Sequence, residues 1–444
     1  MNNHLLAWIR RALSCTVCAM LVHMQAFGLE LTPEMRAQLR AAIEDMQKRM
    51  NIKGVSAAVI TQNEALPIVA GVSYEGRPIT PEMAFGIGSV TKTLTSTTLV
   101  LMQEKGLIDL DDAIGKWIPA HPFIDASITV REVLQHRSGL ADFSMTQEYR
   151  TAVLANAGKV FTPEELLSFV QKPLAKRNTT FNYCNTNYML AGMIIAKITG
   201  EKVGTTYRRL IFDRLAMDST FMGVEDTLPV EVAVRWLGAQ SGQNVSINAA
   251  FSGAWTAGAV FSTAREIATF MRELHRGNVV APSSLAEMHA YPDTNAYGLG
   301  VRRQILAGNV VLGHTGSIRG YESIVLYVPS IDVGISVLVN QGPSEPFMIA
   351  ARMIEILTQE TSVADINDQQ GLQVTPNPAG SDIMITGLPA EHSIMMVDAA
   401  GRVSHEGSSL HGHRMDVSML AAGIYTLVVS GPTLRCAVPL AIVR

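Results

Sequence analysis

The sequence predicts an α/β fold: an antiparallel sheet flanked by helices, drawn from both ends of a large domain around an inserted helical domain, with a small β-sandwich at the C-terminus. Three observations predict it. Two β-rich runs stand early and further β runs lie near 297–340, whereas about 87–250 reads as helical patterns broken by Gly and Pro. A length of 444 residues exceeds one ordinary domain. A polar, featureless stretch, 358–371, sets off a last segment, 372–444, of short β runs and turn residues.

Composition narrows the function classes. Hydrophobic residues make up 48% and charged residues 17%, so the chain buries a sizeable core and is not a disordered polymer. A formal net charge of -4 with no Lys/Arg run excludes a nucleic-acid partner. Arg10 and Arg11 precede the apolar run Ala12 to Val22, and small residues at Ala26 and Gly28 are spaced for a signal peptidase. Residues 1–28 therefore read as a signal peptide, with a mature chain starting near Leu29 and holding no transmembrane segment. Cys15 and Cys18 leave with it; Cys184 and Cys436 fall in different domains, so no structural disulfide is expected.

In chain order, Thr32 and Pro33 suit the N-cap and first position of a helix from Glu34 to about Met50. Gly54 to Thr61 and Pro67 to Tyr74 read as adjacent antiparallel strands. Helical patterns follow at Thr91 to Glu104, Val130 to Leu134, Thr162 to Gln171 and Tyr188 to Thr199. Tyr297 to Ile305, Val310 to His314, Ser323 to Val328 and Val333 to Asn340 form a meander closed by a helix from Glu345 to Leu357. These elements define a domain at 29–360. After the linker at 358–371, strands are expected at Ile383 to Ile385, Ile394 to Asp398 and Tyr425 to Ser430.

Three short segments carry chemistry. In Gly88-Ser89-Val90-Thr91-Lys92 the hydroxyl and the amine are three residues apart at a helix start, so they share one face and can meet. A desolvated lysine can take a serine proton, and a helix N-terminus suits a developing oxyanion. Tyr183-Cys184-Asn185 supplies a phenol and a carboxamide. Gly313-His314-Thr315-Gly316-Ser317 ends a β run, where glycine admits a substrate backbone. Alone, each has a plainer reading: a helix cap with a solvated lysine, a core tyrosine, a turn. Together and in this order they form a specific pattern.

On these motifs the chain resembles the penicillin-recognising serine hydrolases: class C β-lactamases, D-alanyl-D-alanine carboxypeptidases and their esterase relatives. The resemblance spans roughly 30–360 and takes in Gly106 to Asp112, Ile128 to Arg131, Leu134 to Leu140, Ser262 to Ala264 and Gly320-Tyr321. It implies a β-lactamase/transpeptidase-like sheet. It also implies Ser89 as the acylated nucleophile, Lys92 as its base, Tyr183 as proton relay and Asn185 as ligand of the substrate amide. His314, Thr315, Gly316 and Ser317 would line the cleft, with the N–H groups of Ser89 and Ser317 as oxyanion hole. His136 lies in a segment that is a structural turn in this family and is left out of the mechanism. No metal or cofactor is implied: the chain has no His-Glu-x-x-His, no paired-cysteine zinc spacing and no Gly-x-Ser-x-Gly.

Two departures bear on substrate. His314 replaces the lysine usual in class C β-lactamases and offers less fixed positive charge, as in similar carboxypeptidases that add an arginine on the preceding strand. Arg302 or Arg303 is the candidate here. Cys184 stands where serine or alanine is usual and is expected to be a buried, inert thiol. The leading expectation is D-alanyl-peptide hydrolysis through an acyl-enzyme; the alternatives are a class C-like β-lactamase, a small-ester or D-amino-amide hydrolase, and an idle binding or scaffold protein. Partners are then a small peptide, lactam or ester.

Val374-Thr375-Pro376-Asn377-Pro378, Val397 to Val403 and Met415 to Tyr425 resemble the sorting domain of type IX secretion substrates. That implies an export-machinery partner and a secreted or cell-surface location, periplasmic otherwise. An ordinary carbohydrate-binding or adhesive sandwich is the rival.

Overall fold

The computed structural model describes residues 29–227, 229–243 and 245–366, and in the C-terminal segment 373–375, 382–386, 393–398, 403–407, 414–420, 423–430 and 435–442. The expected signal segment, 1–28, lies outside the described residues. Thr32 Oγ1 accepts the N–H of Met35 at 3.1 Å and Pro33 fills the first turn, which starts α1 (Pro33–Arg49). Its stripe of Met35, Leu39 and Ile43 is buried against the sheet.

The sheet is built from β1 (Gly54–Ile60), β2 (Ala65–Tyr74), β3 (Arg77–Pro78), β4 (Arg302–Leu306), β5 (Asn309–Ile318), β6 (Tyr321–Val328) and β7 (Val333–Val339). Its order is β3-β2-β1-β7-β6-β5-β4, antiparallel throughout, so the early hairpin joins the late meander along β1 and β7, from Val55 opposite Val339 to Ile60 opposite Gly334. Every residue of β1 and β7 is buried, because both faces of the sheet are covered. On one face Val55, Val59, Ile335 and Val337 pack with α1 and with Ile349, Met353 and Leu357 of the closing helix. On the other, Ala58, Ile60, Val325 and Leu338 join a core shared with the helical insertion.

The insertion is organised around α2 (Thr91–Glu104), buried on all sides from Thr91 to Met102. Its hydroxyls do not go unsatisfied: Thr95, Thr97 and Thr98 donate to the carbonyls of Thr91, Thr93 and Leu94, one turn back. Against it lie α3 (Asn185–Thr199) and α4 (Asn248–Gly258), and α5 (Ala264–His275) returns the chain to the sheet.

The structure departs from sequence expectation at five boundaries. The strand expected over Val310 to His314 runs on to Ile318. Tyr297–Val301 is not strand: Gly300, at φ +69°, brings its carbonyl to Thr93 Oγ1 of α2, so pairing begins only at Arg302. The helix expected over Thr162 to Gln171 is regular only over Pro163–Leu167. The helix expected from Tyr188 begins at Asn185. The closing helix α6 (Pro346–Ile366) runs into the stretch read as linker, since no Gly or Pro interrupts the chain between Pro346 and Gly371. Beyond it, β8 (Gln373–Thr375), β9 (Asp382–Thr386) and β12 (Arg414–Asp416) form one sheet. A second holds β10 (Ser393–Asp398), β11 (Val403–Gly407), β13 (Gly423–Ser430) and β14 (Arg435–Ile442). Ile383 and Ile385 of the first share a core with Met396, Leu427 and Leu440 of the second, as in a sandwich.

One buried ion pair fastens α5 to the β6–β7 turn. Arg272 bonds Asp332 Oδ2 at 2.6 Å and its carbonyl at 2.9 Å, with both side chains largely hidden. Arg272 also bonds Glu273 Oε1 at 2.8 Å, so removing Asp332 leaves the guanidinium one carboxylate. Asp332→Ala is expected to lower stability by about 2 kcal/mol in urea unfolding, the loss of a charged hydrogen bond; a loss within error of zero would contradict this role.

Candidate active site

The chain turns sharply at Gly88, φ +51°, and Ser89 sits in the single 3-10 turn Gly88–Val90 that runs straight into α2. One turn on, Lys92 is fully buried and its Nζ lies 3.0 Å from Ser89 Oγ. The same Nζ donates to Asn185 Oδ1 at 2.9 Å and to the carbonyl of Ala257 at 2.8 Å. Among the described residues no carboxylate pairs with it. Protonated, Nζ has an acceptor for each hydrogen; deprotonated, it keeps Asn185 and Ala257 and turns its lone pair to the Ser89 hydroxyl. The Ala257 contact depends on a break in α4: Trp255 adopts φ 35°, ψ -122°, and beyond it the carbonyls of Thr256 and Ala257 accept from Thr95 and Lys92. Nothing in the sequence flags this, because a backbone carbonyl has no residue signature.

β5 forms the opposite wall. Its pairing with β4 ends at Gly313 opposite Arg302, leaving His314 to Ile318 as a free edge on that side. Arg319 (φ 41°) and Gly320 (φ 95°) make a two-residue hairpin turn with both φ positive, so Ile318 and Tyr321 close it as the hydrogen-bonded pair. Alternation along the ladder then aims the Ser317 N–H away from β6, toward the free edge. That edge is pressed against the nucleophile loop: a Cβ on Gly316 would stand 2.0 Å from the Ile87 carbonyl, and one on Gly88 would stand 2.6 Å from Ser317 N. Ser323 Oγ donates to the Ile87 carbonyl at 2.8 Å, fixing the register of loop and sheet. Ser89 and Ser317 thus line the same cleft from facing segments.

Tyr183 faces Lys92 across 4.8 Å from ring centroid to Nζ, and its hydroxyl has no hydrogen-bond partner among the described residues. Behind it the His136 ring lies 4.3 Å away, fully buried, its Nδ1 accepting the Cys184 N–H at 3.1 Å. His136 therefore braces the Tyr183 segment and makes no contact with Ser89. Cys184 is buried, and burial pushes its thiol up to about 12, which keeps it protonated and inert. Asn185 is in place, but its amide is already engaged: besides Lys92, its Nδ2 donates to Asp142 Oδ2 at 3.0 Å and to Ser144 Oγ at 3.1 Å. It holds the lysine, and its remaining capacity for a substrate amide is one lone pair on Oδ1.

The cleft, of about 400 Å³, is lined by Ser89, Tyr183, His314, Thr315, Gly316 and Ser317, with Arg302 on one side. His314 is neutral: burial, then the Lys92 charge, presses it down to about 3, its Nδ1 donates to the Thr315 carbonyl and its Nε2 accepts from Tyr297. Of the two arginines, Arg302 reaches the cleft, stacked over the rings of Tyr297 and Phe181. Arg303 lies over Tyr291 and does not line it. Glu322, Ser344 and Phe347 also line it and were not anticipated; Glu322 accepts from Ser317 Oγ at 2.9 Å, a cross-strand pairing that needs the register. Among the described residues no group of three His, Cys, Asp or Glu side chains is placed to hold a metal, and no helix is long and apolar enough to cross a membrane.

Gly316→Ala is expected to separate β5 from the Ser89 loop and to lower kcat on the order of 100-fold, the cost of one lost oxyanion donor, with the far-ultraviolet circular dichroism unchanged. A wild-type rate would show that the close approach is not needed.

The family model described as Beta-lactamase matches residues 39–360. The crystal structure of D-amino acid amidase from Ochrobactrum anthropi SV3 superposes with a TM-score of 0.67 at 27% identity, covering 74% of this chain and 99% of that one. D-aminopeptidase of Gluconobacter oxydans (strain 621H) is 25% identical over 321 residues, 68% of this chain and 59% of that protein. Unguisins hydrolase ungD' of Aspergillus campestris is 21% identical over 351 residues, 71% of this chain and 64% of that protein, so the chain spans less than two thirds of either relative's length. With the family matched over residues 39–360, Lys92 bonded to Ser89, and Ser89 and the free strand edge lining one cleft, the chain belongs to the beta-lactamase family and is a serine hydrolase.

Proposed function

We propose that this hydrolase cleaves the amide bond following a D-amino-acid residue in short peptides, D-alanyl-D-alanine ends among them. The observation that carries the reading is Arg302, a guanidinium in the cleft with no carboxylate partner among the described residues, placed on the strand beside His314. There it suits the carboxylate of a departing amino acid. Ser89 Oγ attacks the carbonyl while Lys92 takes its proton, and the tetrahedral oxyanion lies between the N–H groups of Ser89 and Ser317. Tyr183 then passes a proton to the leaving nitrogen, the C–N bond breaks, and water releases the acyl group from Ser89 by the reverse proton path. The second reading is hydrolysis of D-amino-acid amides, favoured by the likeness to D-amino acid amidase and D-aminopeptidase. Neutral His314 supports either over rapid β-lactam turnover, since it adds no cation for a lactam carboxylate.

The purified protein would be assayed on a D-Ala-D-Ala peptide, D-phenylalanine amide, nitrocefin and a p-nitrophenyl ester side by side. D-alanine release should lead and nitrocefin should lag; nitrocefin turning over fastest would refute the ranking. Ser89→Ala should abolish all turnover and labelling by a fluorescent penicillin. Arg302→Ala is expected to raise KM for the free-carboxylate peptide about tenfold, the worth of one charged hydrogen bond, and to spare the amide. Equal loss on both would move the carboxylate site elsewhere.

We also propose export through the N-terminal segment and the C-terminal sandwich, supported by the cationic-apolar start and by the Pro376-Asn377-Pro378 and Ala422-Gly423-Ile424-Tyr425 landmarks. Loss of the protein from the medium on deleting 372–444, with the cell-bound level unchanged, would support it; unchanged secretion would refute it.

A further inference from the structure

Tyr183, the proton source for the leaving nitrogen, lies toward His314 and Arg302. The leaving group therefore occupies that end of β5, and the acyl portion of a substrate runs the other way, past Ser317 toward Ile318 and Arg319. At that end a hollow of about 440 Å³ opens, walled by Ser144, Tyr149, Val153, Ala250 and Ile318. It lies next to the cleft along β5, where Ser317 lines the cleft and Ile318 the hollow, and its Ser144 Oγ accepts from Asn185, which in turn holds Lys92. A second, more enclosed hollow of about 130 Å³ shares Val153, Leu154, Ala250 and Arg319 with it and ends on Arg235, Leu237 and Val245.

The charge in these hollows has one sign. Arg150 and Arg319 line the first and Arg319 and Arg235 the second, and none of the three forms an ion pair with a carboxylate among the described residues. Arg235 is the telling member. It is only 8% exposed, its Nη atoms reach no more than the carbonyls of Val245 at 3.3 Å and Gly242 at 3.5 Å, and its Nε is buried with no partner at all. Burial presses its pKa down; Tyr321 pulls the other way, and Arg319 adds a smaller downward push. A buried cation left without a counter-charge is costly, and a ligand carboxylate would supply one.

We propose that the acyl side of the substrate carries a carboxylate on a short apolar arm, which fills the two hollows and is bound by Arg319 and Arg235 with Arg150 at the rim. This rests on the peptide-hydrolase reading above and narrows its substrate class to acidic acyl groups.

The test holds the leaving group constant. The full protein is given succinyl-D-Ala-D-Ala and its succinyl monomethyl ester, which differ by one charge, and D-alanine release is measured. The acid is expected to show a kcat/KM about tenfold or more above the ester, and Arg319→Asn, a residue that tolerates the left-handed turn, should bring that ratio close to one. Equal rates for acid and ester overturn the proposal. So does a fall of both in Arg319→Asn with the ratio kept, which would mean the turn alone was disturbed. The same pair is titrated calorimetrically into Ser89→Ala. Preferential binding of the acid with no turnover by the wild type would uphold the anionic subsite while refuting the peptidase reading, and no preference in either measurement refutes the subsite.

Discussion

The site is organised by one demand: an amine sealed from water, with no acid beside it, must still be satisfied. Lys92 meets it with acceptors from three separate stretches of chain, at the starts of α2 and α3 and the end of α4. Because each acceptor is a dipole and not a charge, the nitrogen is held in place without an ion pair that would compete for its lone pair. The packing of the insertion follows from this. The hydroxyls of α2 bond within the helix and to its neighbours, Trp255 accepts a strained backbone, and His136 fills the space behind Tyr183 with a ring that stays neutral because burial disfavours its charge.

The second constraint is steric. Sheet and insertion meet where two glycines face each other's backbones, Gly88 on the nucleophile loop and Gly316 on β5. Without side chains there, a strand edge approaches a helix start closely enough for their N–H groups to address one oxygen. Charge in the cleft varies along the strand: Arg302 at one end, neutral histidine, hydroxyls and the Glu322 carboxyl in the middle, and arginines around the hairpin turn.

Much of this was legible in the sequence because its signals are local. Thr32-Pro33 announces α1, period-2 apolar runs announce the buried strands, and Ser89 with Lys92 at a helix start needs only helical spacing to predict contact. What escaped depends on register or on backbone atoms. Arg302 and Arg303 are neighbours on a strand and point to opposite faces, so only the pairing of β4 with β5 decides which enters the cleft. Glu322 reaches Ser317 through cross-strand pairing, Ala257 contributes a carbonyl, and Asp142 acts by holding Asn185. Polar composition alone suggested a linker where α6 continues, since Thr, Gln and Glu serve a solvated helix as well as a loop.

The sheet joins the two ends of its domain, β1 against β7, and the wall beside Ser89 is contributed by residues more than two hundred positions further along. A ribosome-bound chain stopped short of Ser317 would own the hydroxyl and the amine but not the strand edge that faces them. Contacts of such long sequence separation form late and slowly. Catalytic competence is thus an all-or-none property of the finished polypeptide, and proteolytic fragments from either side are silent by construction.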